Sequence, residues 1–107
     1  MRDSRTLRML LATKGDVFVF KHSTRCPTSA AALRAWQAWA ARVPADGPRL
    51  AMVRVVEERA LSQSLARLVG LAHRSPQVLL LRNGRVAWHA SHGAITEAAL
   101  DGVLARR

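Results

Sequence analysis

Apolar positions change period several times along the chain, and each change predicts an element. Leu7, Leu10 and Leu11 recur at helical spacing behind Asp3 and Ser4, either of which can cap, and Gly15 ends this first helix. Val17 to Phe20 is a short continuous apolar run of β-formers, as expected of a strand covered on both faces. From Pro27 to about Arg42 the helical period returns and puts Leu33, Trp36, Ala40 and Val43 on one stripe, so that Trp36 and Trp39 read as core and flank rather than as a ligand platform. Pro44, Asp46, Gly47 and Pro48 make a turn. Leu50 to Val56 predicts a second strand, and Leu61-Ser62 opens a short helix with Leu65, Leu68 and Val69 inward and Gly70 as its stop. Gln77 to Leu81 predicts a third strand. Asn83-Gly84 is the strongest short hairpin signal, so Arg85 to Ser91 folds back antiparallel with Val86, Trp88 and Ala90 on one face. Thr96 caps a last helix, in which Ile95 can staple to Leu100 and Val103 and Leu104 continue the stripe.

Strand, helix, strand, helix in that order implies a parallel pair joined by a crossover. The whole reads as an N-terminal helix, then βαβ, then ββα around a four-stranded mixed sheet, an α/β architecture in one domain over residues 1–107. No internal repeat, linker or low-complexity tract interrupts it. Half of the residues are hydrophobic, which excludes a disordered tail. The apolar stretch ending at Leu10 to Ala12 is too short for a signal-peptide core or a membrane span, so a soluble, cytoplasmic protein with no membrane partner is expected. The formal charge of +10 invites a nucleic-acid partner, but the arginines are scattered through every predicted element and tyrosine is absent. Specific nucleic-acid binding is therefore not expected; a general attraction for anionic molecules and acidic proteins is.

Candidate chemistry concentrates at Cys26, the one cysteine of the chain, in Lys21-His22-Ser23-Thr24-Arg25-Cys26-Pro27-Thr28-Ser29. One cysteine excludes an internal disulfide, a dithiol site and a four-cysteine zinc module. Pro27 suits the first position of a helix, which makes Cys26 the N-cap. There its sulfur faces the free amides of Thr28 and Ser29, and those amides together with the helix dipole favour negative charge. With Lys21, Arg25 and a protonated His22 nearby, the thiol is expected to ionise readily, and the thiolate is the reactive form. His22 is either such a neighbour or a surface histidine without a role. The alternatives to a reactive thiol are a buried structural cysteine and a metal site using His22 with Cys26, or His89 with His92. His89 and His92, in and after an edge strand, read as structural.

The element order, with a cysteine opening the helix after the first strand and Pro76 just before the third strand, resembles the thioredoxin fold. That fold implies a cis Ser75-Pro76 bond lying beside the cysteine. More specifically, Lys21 to Ala32, Ser75-Pro76-Gln77 and Trp88-His89-Ala90-Ser91-His92 resemble the monothiol bacilliredoxin-like proteins of the bacillithiol system, from about Val17 to Leu104. The resemblance implies that Cys26 is the nucleophile attacking mixed disulfides between proteins and bacillithiol. Bacillithiol would be a co-substrate thiol, with no tightly bound cofactor and S-bacillithiolated proteins as partners. His22, Thr24, Arg25, Pro27, Thr28, Ser29, Ser75 and Pro76 would stabilise the thiolate or position substrate, with the Ser75 backbone pairing to the substrate chain as an added strand. Ser29 stands where a dithiol relative carries its resolving cysteine. Arg74 departs from a position that is often acidic in that family. Two other functions fit the same thiol: a redox or peroxide sensor forming a sulfenic acid, and a non-catalytic adaptor on the same fold.

Overall fold

The computed structural model describes residues 8–22, 27–54, 59–72, 74 and 76–106. Residues 8–12 are helical (α1) and lead through Gly15, at φ +86°, into β1 (Asp16–His22). The chain continues with α2 (Pro27–Ala40), β2 (Arg49–Arg54), α3 (Arg59–Val69), β3 (Gln77–Arg82), β4 (Arg85–Ser91), a 3-10 turn (His92–Ala94) and α4 (Glu97–Arg106). The order in the sheet is β2-β1-β3-β4, with β1 parallel to β2 and antiparallel to β3, and β3 antiparallel to β4.

β1 is central, and alternation along it divides the core in two. Phe18 and Phe20 point to the side covered by α2 and α4, where they join Ala32, Trp36, Trp39, Val78, Leu80, Ile95, Leu100 and Val103. Phe18 meets Trp39 edge-on at 4.8 Å and Phe20 stacks on Trp36 at 5.3 Å, the geometries that aromatic quadrupoles favour. Val17 and Val19 point to the other side, with Leu10, Val53, Leu65, Leu79 and Leu81. Both tryptophans of α2 are thus core, Trp39 completely so.

The expected caps and turns form. Thr96 Oγ1 accepts from the Ala99 amide at 3.1 Å, and Ile95 and Leu100 are buried in one cluster. Asn83 and Gly84 both take positive φ, +53° and +81°, as a two-residue hairpin of this type requires. The Asn83 amide donates to Gly15 O, and its Oδ1 accepts from the Gly15 amide at 2.8 Å, so the hairpin turn is latched to the entry of β1. A Cβ on Gly84 would run into the Leu11 carbonyl.

Two expectations are corrected, and others fall outside the described residues. The described part of β2 ends at Arg54, and Val55 and Val56, expected to continue it, lie outside the described residues, as do Asp3, Ser4 and Leu7. Leu68 is 63 % exposed instead of inward. α3 is turned so that Ser62, Leu65 and Val69 face the sheet, and at 100° per residue Leu68 then falls off that face. Val86 does not share a face with Trp88 and Ala90. The register shifts between Leu80 and Leu81, pairing Leu80 with Trp88 but Leu81 with Val86, so Ala87 is an extra residue. Such a bulge reverses the alternation; Trp88 and Ala90 pack on the aromatic side, and Val86 packs on the side of α1 and α3.

Candidate functional site

The C-terminal end of β1 brings two of the predicted site residues, His22 and Ser29, together. His22 continues the Phe18–Phe20 face, 8 % exposed, with its ring 5.7 Å from that of Phe20. Above it begins α2, which Pro27 opens because a first helical position needs no N–H and a fixed φ suits it. Ser29, in the first turn, is fully buried, and its hydroxyl lies 2.8 Å from His22 Nδ1. This bond ties the end of the strand to the start of the helix across seven residues. His22 is therefore a buried, hydrogen-bonded residue, which rules out the surface-histidine alternative. The N-terminus of α2 carries no acidic residue in its first turn, so nothing there competes with an external anion for the dipole.

Pro76 is buried just ahead of β3, and its carbonyl accepts from the His92 amide at 3.1 Å. His92 adopts φ +53°, an uncommon conformation for a non-glycine residue. The turn at His92–Ala94 is thereby held against the Pro76 segment, a backbone role that the sequence did not indicate for His92. Between this turn and α2 runs a groove of about 340 Å³ walled by Ala32, Ala35, His92, Gly93, Ile95 and Thr96. Its wall on α2 begins at Ala31, two residues beyond Ser29.

Of the other expected site residues, Pro27 and Thr28 open α2, while Thr24, Arg25, Cys26 and Ser75 lie outside the described residues, and with Ser75 the expected cis bond. Lys21 is placed otherwise than expected. It is fully buried on the side opposite His22, facing α3, and burial lowers its amine from 10.5 to about 8. Among the described residues nothing accepts a hydrogen bond from its Nζ. Gln77, its register partner on β3, is buried on the same face. Gln77 Nε2 donates weakly to Ala72 O at 3.4 Å, and its Oε1 has no donor among the described residues. The sequence held a signal for this: Lys21 is in phase with Val17 and Val19, once the strand is extended past Phe20. Among the described residues no three histidine, cysteine or acidic side chains gather as metal ligands, and no helix is long and apolar enough to cross a membrane.

Residues 1–100 match the family model of the monothiol bacilliredoxin BrxC. The chain belongs to this family. It is also similar to a solved structure described as a candidate oxidoreductase with a thioredoxin fold, at 30% identity and TM-score 0.80, covering 92% of this chain and 85% of that one. Trxlp from Edwardsiella tarda EIB202 superposes with TM-score 0.72 at 19% identity over 94% of this chain and 91% of that one. Reduced desulfothioredoxin from Desulfovibrio vulgaris Hildenborough does so with TM-score 0.66 at 22% identity over 91% and 86%. The last two show the fold alone. The fold is thus thioredoxin-like, a four-stranded mixed sheet between helices, and membership of the bacilliredoxin family supports a thiol redox function with bacillithiol-related partners.

Proposed function

We propose that this bacilliredoxin-family chain is a monothiol thiol–disulfide oxidoreductase that removes bacillithiol from proteins in the cytoplasm. The observation that carries this reading is the family match over residues 1–100 in a chain whose one cysteine immediately precedes the helix opened by Pro27. In the cycle the Cys26 thiolate attacks the bacillithiol sulfur of a protein–bacillithiol disulfide. The old S–S bond breaks, the protein departs as a thiolate that takes a proton from solvent, and a Cys26–bacillithiol disulfide forms. With no second cysteine, a thiolate from solution must attack that adduct and release bacillithiol. The free amides at the start of α2 would hold the sulfur's charge. Ser29, fixed by His22, would offer a hydrogen bond and no covalent step. The groove beside α2 is large enough for the body of a small thiol. Thr24, Arg25, Thr28, Ser75 and Pro76 would align the disulfide. Bacillithiol is on this reading a co-substrate, and no cofactor is held between turnovers.

Intact-mass measurement after mixing with oxidised bacillithiol is the decisive test. One bacillithiol should add to Cys26, turnover should require added low-molecular-weight thiol, and Cys26→Ser should abolish transfer while Ser29→Ala keeps much of it. Rapid oxidation by peroxide without adduct formation would make the protein a sensor. A thiol ionising near the free value of about 8.5, with no turnover, would make it an adaptor.

A further inference from the structure

The end of the sheet opposite the start of α2 gathers arginines. Arg82, the last residue of β3, stands directly across the ladder from Arg85, the first of β4. Arg82 is in phase with Leu80, so the pair faces α4, whose last turn supplies Arg106 on the same side. Asp16 answers Arg82, accepting from its Nε at 2.9 Å and its Nη2 at 3.4 Å, and so holds that guanidinium in place. Like charges directly opposite one another in a sheet are destabilising. An anion held among the three arginines would offset that repulsion.

Two local irregularities serve the cluster. The first is the bulge at Ala87. Arg85 and Trp88, three residues apart, would point to opposite sides of a regular strand; the extra residue puts both on the α4 side. The second is Gly102, inside α4, where glycine weakens a helix. A Cβ there would come within 3.3 Å of Arg106 Nη1, so the guanidinium folds back along the helix over residue 102. A cation in the last turn suits the helix dipole wherever it points; this one turns to the wall of a hollow. That hollow, of about 170 Å³, is bordered by Leu80, Arg82, Ala87, Trp88, Val103 and Arg106. A second, of about 580 Å³, shares Arg82 and Ala87 with it and adds Arg85 and Asn83.

We propose that the two adjoining hollows form a binding site for a phosphate group, with Arg85 and Arg106 as its charged donors, Arg82 held beside them by Asp16, and the Trp88 indole along the wall. Guanidinium forks match phosphate oxygens two at a time, which suits arginine to this ligand better than lysine. The site lies at the other end of β1 from the start of α2, and it stands whether or not the redox reading does. The three guanidiniums are exposed, so salt weakens the binding.

The test is an NMR titration of the full chain with inorganic phosphate, observing the arginine Nε–H groups and the Trp88 indole N–H. It is run at constant ionic strength and about pH 7.5, above the second phosphate ionisation near 6. Arg82, Arg85, Arg106 and Trp88 should shift along one saturable curve that chloride does not reproduce. Arg85→Gln and Arg106→Gln should each weaken binding about tenfold. Arg49→Gln on β2, at the other edge of the sheet, removes the same charge and should leave the affinity unchanged. Gly102→Ala should keep the helix and still weaken binding several-fold, by displacing the Arg106 guanidinium. Phenyl phosphate distinguishes the source of the group: tighter binding than inorganic phosphate means an ester whose body lies on Trp88, and equal binding means the free anion. If phosphate shifts the arginines of the chain alike without saturating, or if Arg49→Gln weakens binding as much as Arg85→Gln, the attraction is that of the +10 net charge and the proposal fails.

Discussion

The two faces of the sheet are built differently although the same strands supply both. The side under α2 and α4 is aromatic and closely interlocked, with Phe18, Phe20, Trp36 and Trp39 in mutual ring contact and an ion-pair cluster from Arg42 to Glu97 and Asp101 joining the two helices at the rim. The side under α1 and α3 is aliphatic and buries Lys21, Gln77 and Ser62 among its leucines and valines. The first side fixes α2, and with it the helix start that the proposed thiol chemistry would use. The second accepts polar groups close to the site at some loss of stability. A rigid scaffold on one side and an electrostatically active layer on the other is a division that mutation can test.

The largest effect should come from opening the aromatic side. Trp39 is fully buried and touches both Phe18 and Trp36, so Trp39→Ala removes a large apolar volume that its rigid neighbours cannot refill. A loss of about 3–5 kcal/mol is expected. Leu65→Ala, the equivalent truncation on the other side, should lose about 2–4 kcal/mol. Urea unfolding of both variants measures the difference; an equal or larger loss at Leu65 would remove the contrast between the faces.

Lys21→Met sharpens it with the opposite sign. The folded amine ionises at about 8 against 10.5 unfolded, so between those values the unfolded chain binds more protons and stability rises with pH. Below pH 8 both states are protonated and the full penalty applies; above about 10.5 it is gone. Lys21→Met should therefore stabilise the fold at pH 7 by up to about 3 kcal/mol, and the gain should fade as pH is raised through that window. Tyrosine is absent and Lys14 is the other lysine, which keeps the alkaline range clear apart from Cys26. Thermal melts from pH 7 to 10.5 follow the trend.

What the sequence disclosed and what it hid follow the same division. Elements with local signals were legible: the Asn83-Gly84 turn, the Thr96 cap with its Ile95 staple, Gly70 ending α3, and the two-sided apolar run of β1. The predicted site was partly legible, because the Pro27 helix start and its polar first turn are local features that put Ser29 opposite His22. Long-range facts were not. The bulge at Ala87 depends on how β3 and β4 pair, and no residue type announces it. Leu68 lies outward while Ser62 is buried, because helical periodicity alone cannot choose between neighbouring faces of α3. The burial of Lys21 needed the strand to run two residues beyond its apolar stretch.

A smaller effect tests the link between scaffold and site. Ser29→Ala leaves His22 Nδ1 buried without this bond and should lose about 1–2 kcal/mol, and His22→Phe should lose a similar amount by removing the same bond. The double variant should lose less than the sum by about 1 kcal/mol, since both substitutions remove one shared interaction. Strict additivity in a double-mutant cycle would mean that the bond does not join β1 to α2 energetically. The cycle also bears on function, because the proposed role of Ser29 leaves much of the transfer activity in Ser29→Ala even as stability falls.

The smallest change is expected at the rim, where the aromatic side's ion pairs could be mistaken for its source of rigidity. Arg42 reaches Glu97 at 2.8 Å and Asp101 at 3.1 Å, and hydrogen bonds to Asp101 and then Glu97 hold its guanidinium in the charged form. All three side chains are about half exposed, however, so water and salt screen the attraction, and ordering the long arginine offsets much of what remains. Arg42→Ala should therefore lower the melting temperature least of these variants, and in molar salt the difference from wild type should vanish. The Trp39→Ala and Leu65→Ala losses should survive the same salt, because apolar burial is not screened. If Arg42→Ala instead approached Trp39→Ala in severity, the docking of α4 on α2 would be electrostatic, and the aromatic interlock would no longer explain why the start of α2 stays over the end of β1.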